Sequence, residues 1–489
     1  MPQLHPLLQP YQPTSDDPFD AVKAAHLLNR AGFGGTPEEI ERVMELGPQR
    51  AVEALLDFPD APVDEQNAED VPDLSSIDGY PMTFADRRKL LIGKTPQERQ
   101  ALLQQLMAAN REAIGLTMAW WLKRMAHGPF PLQEKLTLFW HGHFTTSARD
   151  ERSAWLMWQQ NETWRANAAG NFKTFVQQVS RDPAMLDYLN NQQNRKQKPN
   201  ENYARELMEL FTLGIGNYTE QDIKEAARAF TGWAHDGDDF VYRKFDHDDG
   251  VKTFFGKRGN FDGDAVVEII LDRAVCAPYI ATRMWNFFVS ESFDTQAAQE
   301  LGTLLRQNKW DLRPVIYTML TSRGFYDPSV IGAQIKSPVQ LVVGTIRLLD
   351  VEPPDARQLY GALDQMGQVP LMPPNVKGWP GGRAWVNTNT LFVRYNTCVW
   401  LAGGGRGIGG PGGGFFRNEQ RRGGTKFRPR AEGSPEDIVH YWVERLIQRP
   451  VPEQRKQVLV DALGDNPNSA DSVKRMVQLI VSMPEYQLC

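Results

Sequence analysis

Cysteine is nearly absent: the 489 residues hold three, Cys276, Cys398 and Cys489. Their odd number and wide separation argue against a disulfide framework and against a thiolate zinc site. No stretch approaches the ~18 consecutive apolar residues of a membrane helix, so no membrane association is expected. The opening MPQLHPLLQPYQPTSDDPFD has no basic start, no long apolar run and no small-residue cleavage site. As written, the chain reads as cytoplasmic, and as exported only if a leader has been removed. Excess positive charge is lacking too: 54 Lys and Arg against 60 Asp and Glu give a net charge of −6. That field gives no reason to expect nucleic acid. Also missing are a GxxxxGK[ST] phosphate loop, a strand-linked GxGxxG, a GxSxG elbow and HExxH. ATP hydrolysis, Rossmann redox chemistry and α/β-hydrolase catalysis lose support, and no nucleotide cofactor is expected.

What is present is the composition of a globular protein, 41% hydrophobic and 23% charged, long enough for two or three ordinary domains. The pattern predicts a mainly α, multi-helix fold with a small β-hairpin or short-strand insertion near residues 234–264. Residues 1–20 are proline-rich and expected to lie extended over the surface. A main helical domain follows over 21–400, a flexible Gly/Arg-rich loop over 401–430, and helices over 431–489 that pack on the main domain. Within the main domain Ala21–Arg30 reads as a helix, and Thr36-Pro37-Glu38-Glu39 as a capping box opening the next. Asp57–Thr83 reads as a long loop. Helices are expected at Pro96–Met125, Pro131–Trp140, Asn161–Leu189, Asn200–Gly214 and from Thr219 to Trp233, and again over Asp264–Leu349. Proline and glycine keep LMPPNVKGWPGGRAW irregular.

Four constellations carry possible chemistry. On the helix NENYARELMELFTLG, Glu201, Arg205 and Glu209 form an i,i+4 ion-pair stripe that needs no function. Asn202 and Glu206 stand at the border of its apolar face. Partial desolvation there raises a carboxyl pKa and suits Glu206 to proton transfer; the bland alternative pairs it with an arginine such as Arg228. In WHGHFTTS, an extended chain beyond Gly142 points His141 and His143 the same way, as a divalent metal such as zinc requires. On a continuing helix they diverge by about 200° and the pair means nothing. In FDHDDGVK, His247 sits in an acidic turn and is a candidate third ligand. An EF-hand is not expected, since the twelfth position is Lys257. In PPNVKGWPGGRAWVNTNTL, Asn375, Trp379 and Arg383 occupy an irregular loop of the kind that forms ligand-site walls, although the tryptophans serve equally well as anchors.

At these motifs the chain resembles a known family. HLLNRAGFGGTPEEI, QEKLTLFWHGHFTTS, NENYARELMELFTLGIGNYTE, EAARAFTGW, HDDGVKTFFG, KSPVQLVVGTIR and PPNVKGWPGG are together similar to a bacterial family of unknown function, number 1800 in the domain-of-unknown-function series. The likeness runs in order from about His26 to Arg394. Its motifs fall on His26, Arg30, His141, His143, Asn200, Asn202, Arg205, Glu206, Glu209, His247, Asn375 and Trp379. The resemblance implies no reaction. It does imply an exported protein encoded beside an alkaline-phosphatase-like partner, a pattern from which this sequence departs by showing no export signal.

Two functions remain. The leading expectation is an enzyme, a hydrolase or lyase acting on a small polar molecule or glycan, with Glu206, His141 and His143 catalytic. Asn202, Arg205, Asn375, Trp379 and Arg383 then bind substrate, and His141, His143 and His247 are the metal ligands if a divalent ion takes part. The competing expectation is a non-catalytic helical scaffold or partner-binding protein whose polar motifs form a structural hydrogen-bond network. The oligomeric state is not set by the sequence.

Overall fold

Threonine and serine set where many of the helices begin. Thr36 with Glu39, Thr95 with Glu98, Thr219 with Asp222 and Ser434 with Asp437 each form a complete capping box, and Pro37, Pro96 and Pro435 occupy first-turn positions. The computed structural model describes residues 4–62, 71–81, 83–150, 153–403 and 427–489. Among these residues twenty α-helices and two small antiparallel hairpins make a mainly α fold.

In chain order the helices relevant below are α1 (Ala21–Arg30), α2 (Pro37–Leu56), α3 (Phe84–Leu91), α4 (Pro96–His127), α5 (Pro131–His143), α6 (Ala154–Ala166), α7 (Phe172–Arg181) and α8 (Pro183–Tyr188). Then come α9 (Asn202–Glu206), which continues as a π-helix over Leu207–Thr212, and α10 (Glu220–Ala229). Strands β1 (Trp233–His235) and β2 (Phe240–Tyr242) pair, as do β3 (Lys252–Phe254) and β4 (Lys257–Gly259). Helices α11 (Gly263–Leu271), α12 (Cys276–Phe288), α13 (Thr295–Gln307), α14 (Arg313–Leu320) and α15 (Pro338–Leu349) follow. The chain closes with α16 (Ala356–Met366), α17 (Thr388–Leu401), α18 (Pro435–Leu446), α19 (Glu453–Leu463) and α20 (Ala470–Val481).

The apolar interior has two parts. One gathers α1, α2, α7 and α9 to α14; the other gathers α4 and α15 to α20. Helix α5 runs between them, giving Leu132, Leu136, Phe139 and Trp140 to the first and Leu138 to the second. A helix buried all round is what a core position demands, and α5 has no solvent face to mark it in the sequence.

Several expectations change. Residues 4–20 are not merely draped on the surface, because Leu8 and Tyr11 are buried and the Tyr11 N–H donates to the Thr321 carbonyl at 2.8 Å. The expected loop Asp57–Thr83 holds a 3-10 turn at Leu74–Ser76. The expected helix Asn161–Leu189 is three helices. Asn167 closes α6, and Asp182 caps α8 in front of Pro183. The insertion near 234–264 contains two hairpins rather than one. Helices α16 and α17 flank the Pro/Gly loop without any sequence expectation. Most of the Gly/Arg-rich segment, residues 404–426, lies outside the described residues.

Candidate functional site

Helix α5 does not stop at Trp140; it runs through His143. The extended conformation that would align His141 and His143 is therefore not adopted, and the two rings leave the helix on different sides. His141 is fully buried, with its ring 4.8 Å from Trp164, 5.2 Å from Trp379 and 5.5 Å from Trp121. Its Nε2 accepts the Leu371 N–H at 2.9 Å. Leu371 has φ 66°, an uncommon left-handed conformation for leucine, and its carbonyl accepts the Ala148 N–H at 2.8 Å. His143 instead donates through Nε2 to the Phe211 carbonyl at 3.0 Å. His247 uses Nδ1 on the Thr231 carbonyl at 2.8 Å, beside the second hairpin. Three histidines expected to share a metal thus each hold a different backbone group. Among the described residues no three His, Cys, Asp or Glu side chains gather as a metal site would need.

The helix after Asn200 divides unevenly. Asn202 is exposed, and its N–H donates to Asn200 Oδ1 at 3.0 Å. It turns the chain rather than facing a pocket. Arg205 bonds both oxygens of Glu220, at 2.7 and 2.9 Å, and reaches Glu201 at 3.3 Å. Glu209 accepts the Tyr218 hydroxyl at 2.6 Å. Arg228 is committed to Glu225 and Asp248, so it is not the partner of Glu206. Among the described residues Glu206 has no hydrogen bond or ion pair. It is half-buried; burial first, then Glu209, raise its pKa, while Arg205 and Lys377 pull it down. Immediately after Glu206 the helix widens, and the Leu213 N–H pairs with the Met208 carbonyl at 2.9 Å in an i→i+5 bond. Such π-turns recur at functional sites.

A cleft of about 790 Å³ lies at the end of α8; Glu206 is not among its lining residues and is linked to it through its charge on Tyr188. Its walls are Arg87 on α3, Asp150, the α8 terminus from Asp187 to Asn190, and Pro374 to Val376. Burial raises the Tyr188 hydroxyl to about 12, reinforced by the charges of Asp150 and Glu206. Asp187 stands 3.0 Å from His235 Nε2, and the other ring nitrogen accepts the Gly237 N–H at 3.1 Å. That bond leaves the ring proton on Nε2, which is buried and makes no hydrogen bond among the described residues. Asn190 adopts φ 58°, a conformation asparagine tolerates.

The Pro/Gly loop is clamped to the end of α5. A Cβ on Gly378, which has φ +76°, would lie 2.4 Å from the Gly142 carbonyl oxygen. Asn375 therefore faces the cleft, while Trp379 packs over Gly142 and His141 as an anchor. Arg383 is exposed on the 3-10 turn Gly382–Trp385 and does not line the cleft. Of the residues expected at a site, Asn375 lines the cleft and Glu206 is linked to it through its charge on Tyr188; Asn202, Arg205, Arg383 and the three histidines do not line it. Sequence reasoning missed Asp150, Asp187, Tyr188, Asn190 and His235. Only the Asn-Asn pair ending α8 carried a local signal, as a turn.

The buried titratable groups near this region predict a pH dependence. Burial lowers His141 and His143 to about 3, so the native rings stay neutral while unfolded histidine protonates below about 6.5. Their contribution is present above pH 6.5 and is lost as pH falls. Asp182, whose Oδ1 accepts the Met185 N–H and Gln160 Nε2, is raised by burial to about 7. Its contribution has the opposite sign, present at low pH and lost as pH rises from about 4 to 7. Each group is worth about 1.4 kcal/mol per pH unit, so two histidines outweigh one aspartate. Stability measured by urea unfolding is expected to fall from pH 6.5 to 5, and Asp182→Asn to steepen the fall.

Residues 26–488 match the model of a family described as "protein of unknown function (DUF1800)". No curated protein and no solved structure matches the chain.

Proposed function

The chain belongs to the DUF1800 family, proteins of unknown function, and from that premise we propose an acid–base hydrolase or lyase that acts on a polar substrate such as a glycan at the Glu206 cleft. The observation that carries the proposal is a half-buried carboxyl with a raised pKa and no side-chain partner among the described residues, whose charge acts on Tyr188 in the wall of a cleft that holds further carboxylates and amides. A group so placed holds its proton closer to neutral pH than an exposed glutamate and serves as general acid or base. Asp187, with an oxygen 3.0 Å from His235 Nε2, supplies a second carboxylate. Two carboxyls in unequal surroundings are the usual equipment for glycosidic cleavage. Tyr188, Asn190 and Asn375 offer a hydroxyl and two amides to orient hydroxyl groups of a substrate. Acid–base chemistry is favoured over a metal-activated water because the three candidate histidines hold three separate backbone groups and, among the described residues, no three His, Cys, Asp or Glu side chains converge. The bonds of His141 and His143 favour the scaffold reading for those residues, and leave it no account of an unpaired Glu206.

The test is turnover of a panel of aryl glycosides and purified bacterial polysaccharides, followed as released phenol or reducing ends. Glu206→Gln is expected to reduce kcat about 10²–10⁴-fold with unchanged unfolding, and Asp187→Asn to shift the pH optimum as well. A Glu206→Gln protein that keeps wild-type turnover overturns the assignment. A wild type that neither binds nor cleaves any glycan removes the glycan from it.

A further inference from the structure

Away from the cleft, two short turns adjoin. Residues 195–198, RKQK, close a turn in which the Lys198 N–H donates to the Arg195 carbonyl at 2.9 Å. Residues 243–246, RKFD, hold the 3-10 turn Lys244–Asp246 with Arg243 before it. The Lys196 N–H donates to the Asp246 carbonyl at 2.8 Å and joins the two. Both are fastened to the body through Gly232, whose N–H donates to the Asn194 carbonyl at 3.0 Å and whose carbonyl accepts the Arg243 N–H at 2.7 Å. Gly232 has φ +77°, and a Cβ there would lie 2.6 Å from the Arg243 carbonyl oxygen, so this close approach needs glycine.

The side chains of this fastened tip are an uncommon mixture. Phe245 is 91% exposed, and Tyr242 at the end of β2 is 47% exposed. A single exposed apolar side chain needs no explanation, but this one stands among mostly positive charges. The two turns carry five cations, Arg195, Lys196, Lys198, Arg243 and Lys244, against the one carboxylate of Asp246, in a chain whose net charge is −6. Arg195 Nε stands 3.8 Å from Asp246, and Arg243 donates to the His235 carbonyl at 3.1 Å. The three lysines are exposed, and among the described residues their side chains have neither ion pair nor hydrogen bond. Asp248 is taken by Arg228, while Asp249 and Asp262 act on Tyr242 and offset part of the charge.

We propose that this tip is a docking site for an anionic lipid surface, with Phe245 entering the interface and the lysines meeting headgroup phosphates. Charge complementarity calls for a polyanionic partner, and shape chooses among polyanions. A single-stranded nucleic acid is held in a groove that tracks its backbone, whereas a side chain 91% exposed stands clear of any groove. A bilayer admits a lone protruding aromatic, and contact of this kind needs no spanning helix. The tip backbone is already ordered, so docking costs little conformational entropy. Asn190 lines the cleft and Arg195 follows five residues on, at most about 18 Å away. A docked molecule therefore holds the cleft close to the lipid surface. The proposal does not rest on the acid–base reading of that cleft.

The full chain is mixed with sucrose-loaded vesicles of phosphatidylcholine alone, or of equal parts phosphatidylcholine and phosphatidylglycerol, and the bound share is read by sedimentation. Binding is expected to the mixed vesicles only, and to weaken as salt is added. Lys196→Gln combined with Lys198→Gln is expected to weaken it about 25-fold, at about fivefold per lysine. Phe245→Ser is expected to weaken it about tenfold or more. These exposed changes should leave the unfolding midpoint in place, and Phe392→Ser, at a side chain 68% exposed on α17, should leave binding unchanged. Absence of binding to the mixed vesicles overturns the proposal, as does binding that the tip variants leave intact. Binding of a single-stranded oligonucleotide that the same variants abolish, with none to vesicles, overturns it too and assigns the tip to nucleic acid.

Discussion

An Arg165→Leu protein is expected to lose about 3–5 kcal/mol of stability, the penalty for stranding buried charges. Arg165 is 0% exposed and lies at the centre of a closed network. It gives Glu134 two hydrogen bonds, at 2.8 and 3.0 Å, a third to Asn161 at 2.7 Å, and it pairs with Glu162. Glu134 takes two more, from Arg124 Nε and Trp121 Nε1, both at 2.9 Å. Burial alone would lift the Glu134 pKa, but Arg165 and then Arg124 outweigh it and hold the carboxyl below its ordinary value. Leucine keeps the bulk and removes the compensation, leaving Glu162 without its guanidinium and Glu134 with one of two. Urea unfolding of Arg165→Leu, Glu134→Gln and the double variant checks this. The double variant should lose less than the sum of the singles, because each single strands what the other removes. A loss under about 1 kcal/mol in Arg165→Leu would show that the network carries little.

His141→Ala is expected to cost a similar amount, about 3–5 kcal/mol, from two sources that add. It opens a cavity between Trp121, Trp164 and Trp379, and it leaves the buried Leu371 N–H without an acceptor. Leu371 already stands in an unfavourable backbone conformation that surrounding bonds must maintain. Denaturant unfolding gives the total. His141→Gln separates the parts, since its side-chain oxygen offers an acceptor in place of Nε2, and should recover some of the loss. The same variants should raise protease sensitivity in the Pro373–Trp379 loop, because the Leu371 bond secures its start.

Several helices were legible where a capping residue or proline marked a start, as at Thr36, Thr95, Thr219 and Ser434, because those signals are local; the caps at Asp355 and Asn387 went unread. The mainly helical class and the hairpin region followed from periodicity. The end of α5 was not legible. Gly142 reads as a helix terminator in sequence, yet the helix runs through it to His143, and the Gly378 backbone packs against its carbonyl. The histidine pair fell with that single boundary. The half-buried place of Glu206 was legible because position on the helical wheel is a local property. Asp150, Asp187 and Asn375 share a cleft only through tertiary packing, and nothing at any one of them announces the others.

The widened turn at Leu207–Thr212 bears on how this stretch tolerates change. An α-turn closes on the fourth residue and this one on the fifth, so the segment holds one residue more than a regular helix would. Tyr279 and His143 secure its far side, donating to the Leu210 carbonyl at 2.8 Å and the Phe211 carbonyl at 3.0 Å. With that side pinned, the wider turn takes up the surplus residue, so the residues before and after it keep nearly the phase of a regular helix. Removing one residue between 207 and 212 would restore an ordinary helix and leave Glu206 on nearly the same face relative to Phe211. The same deletion in a regular helix would turn everything before it by about 100°. This turn is therefore the place where the helix before Phe211 best tolerates a change of length.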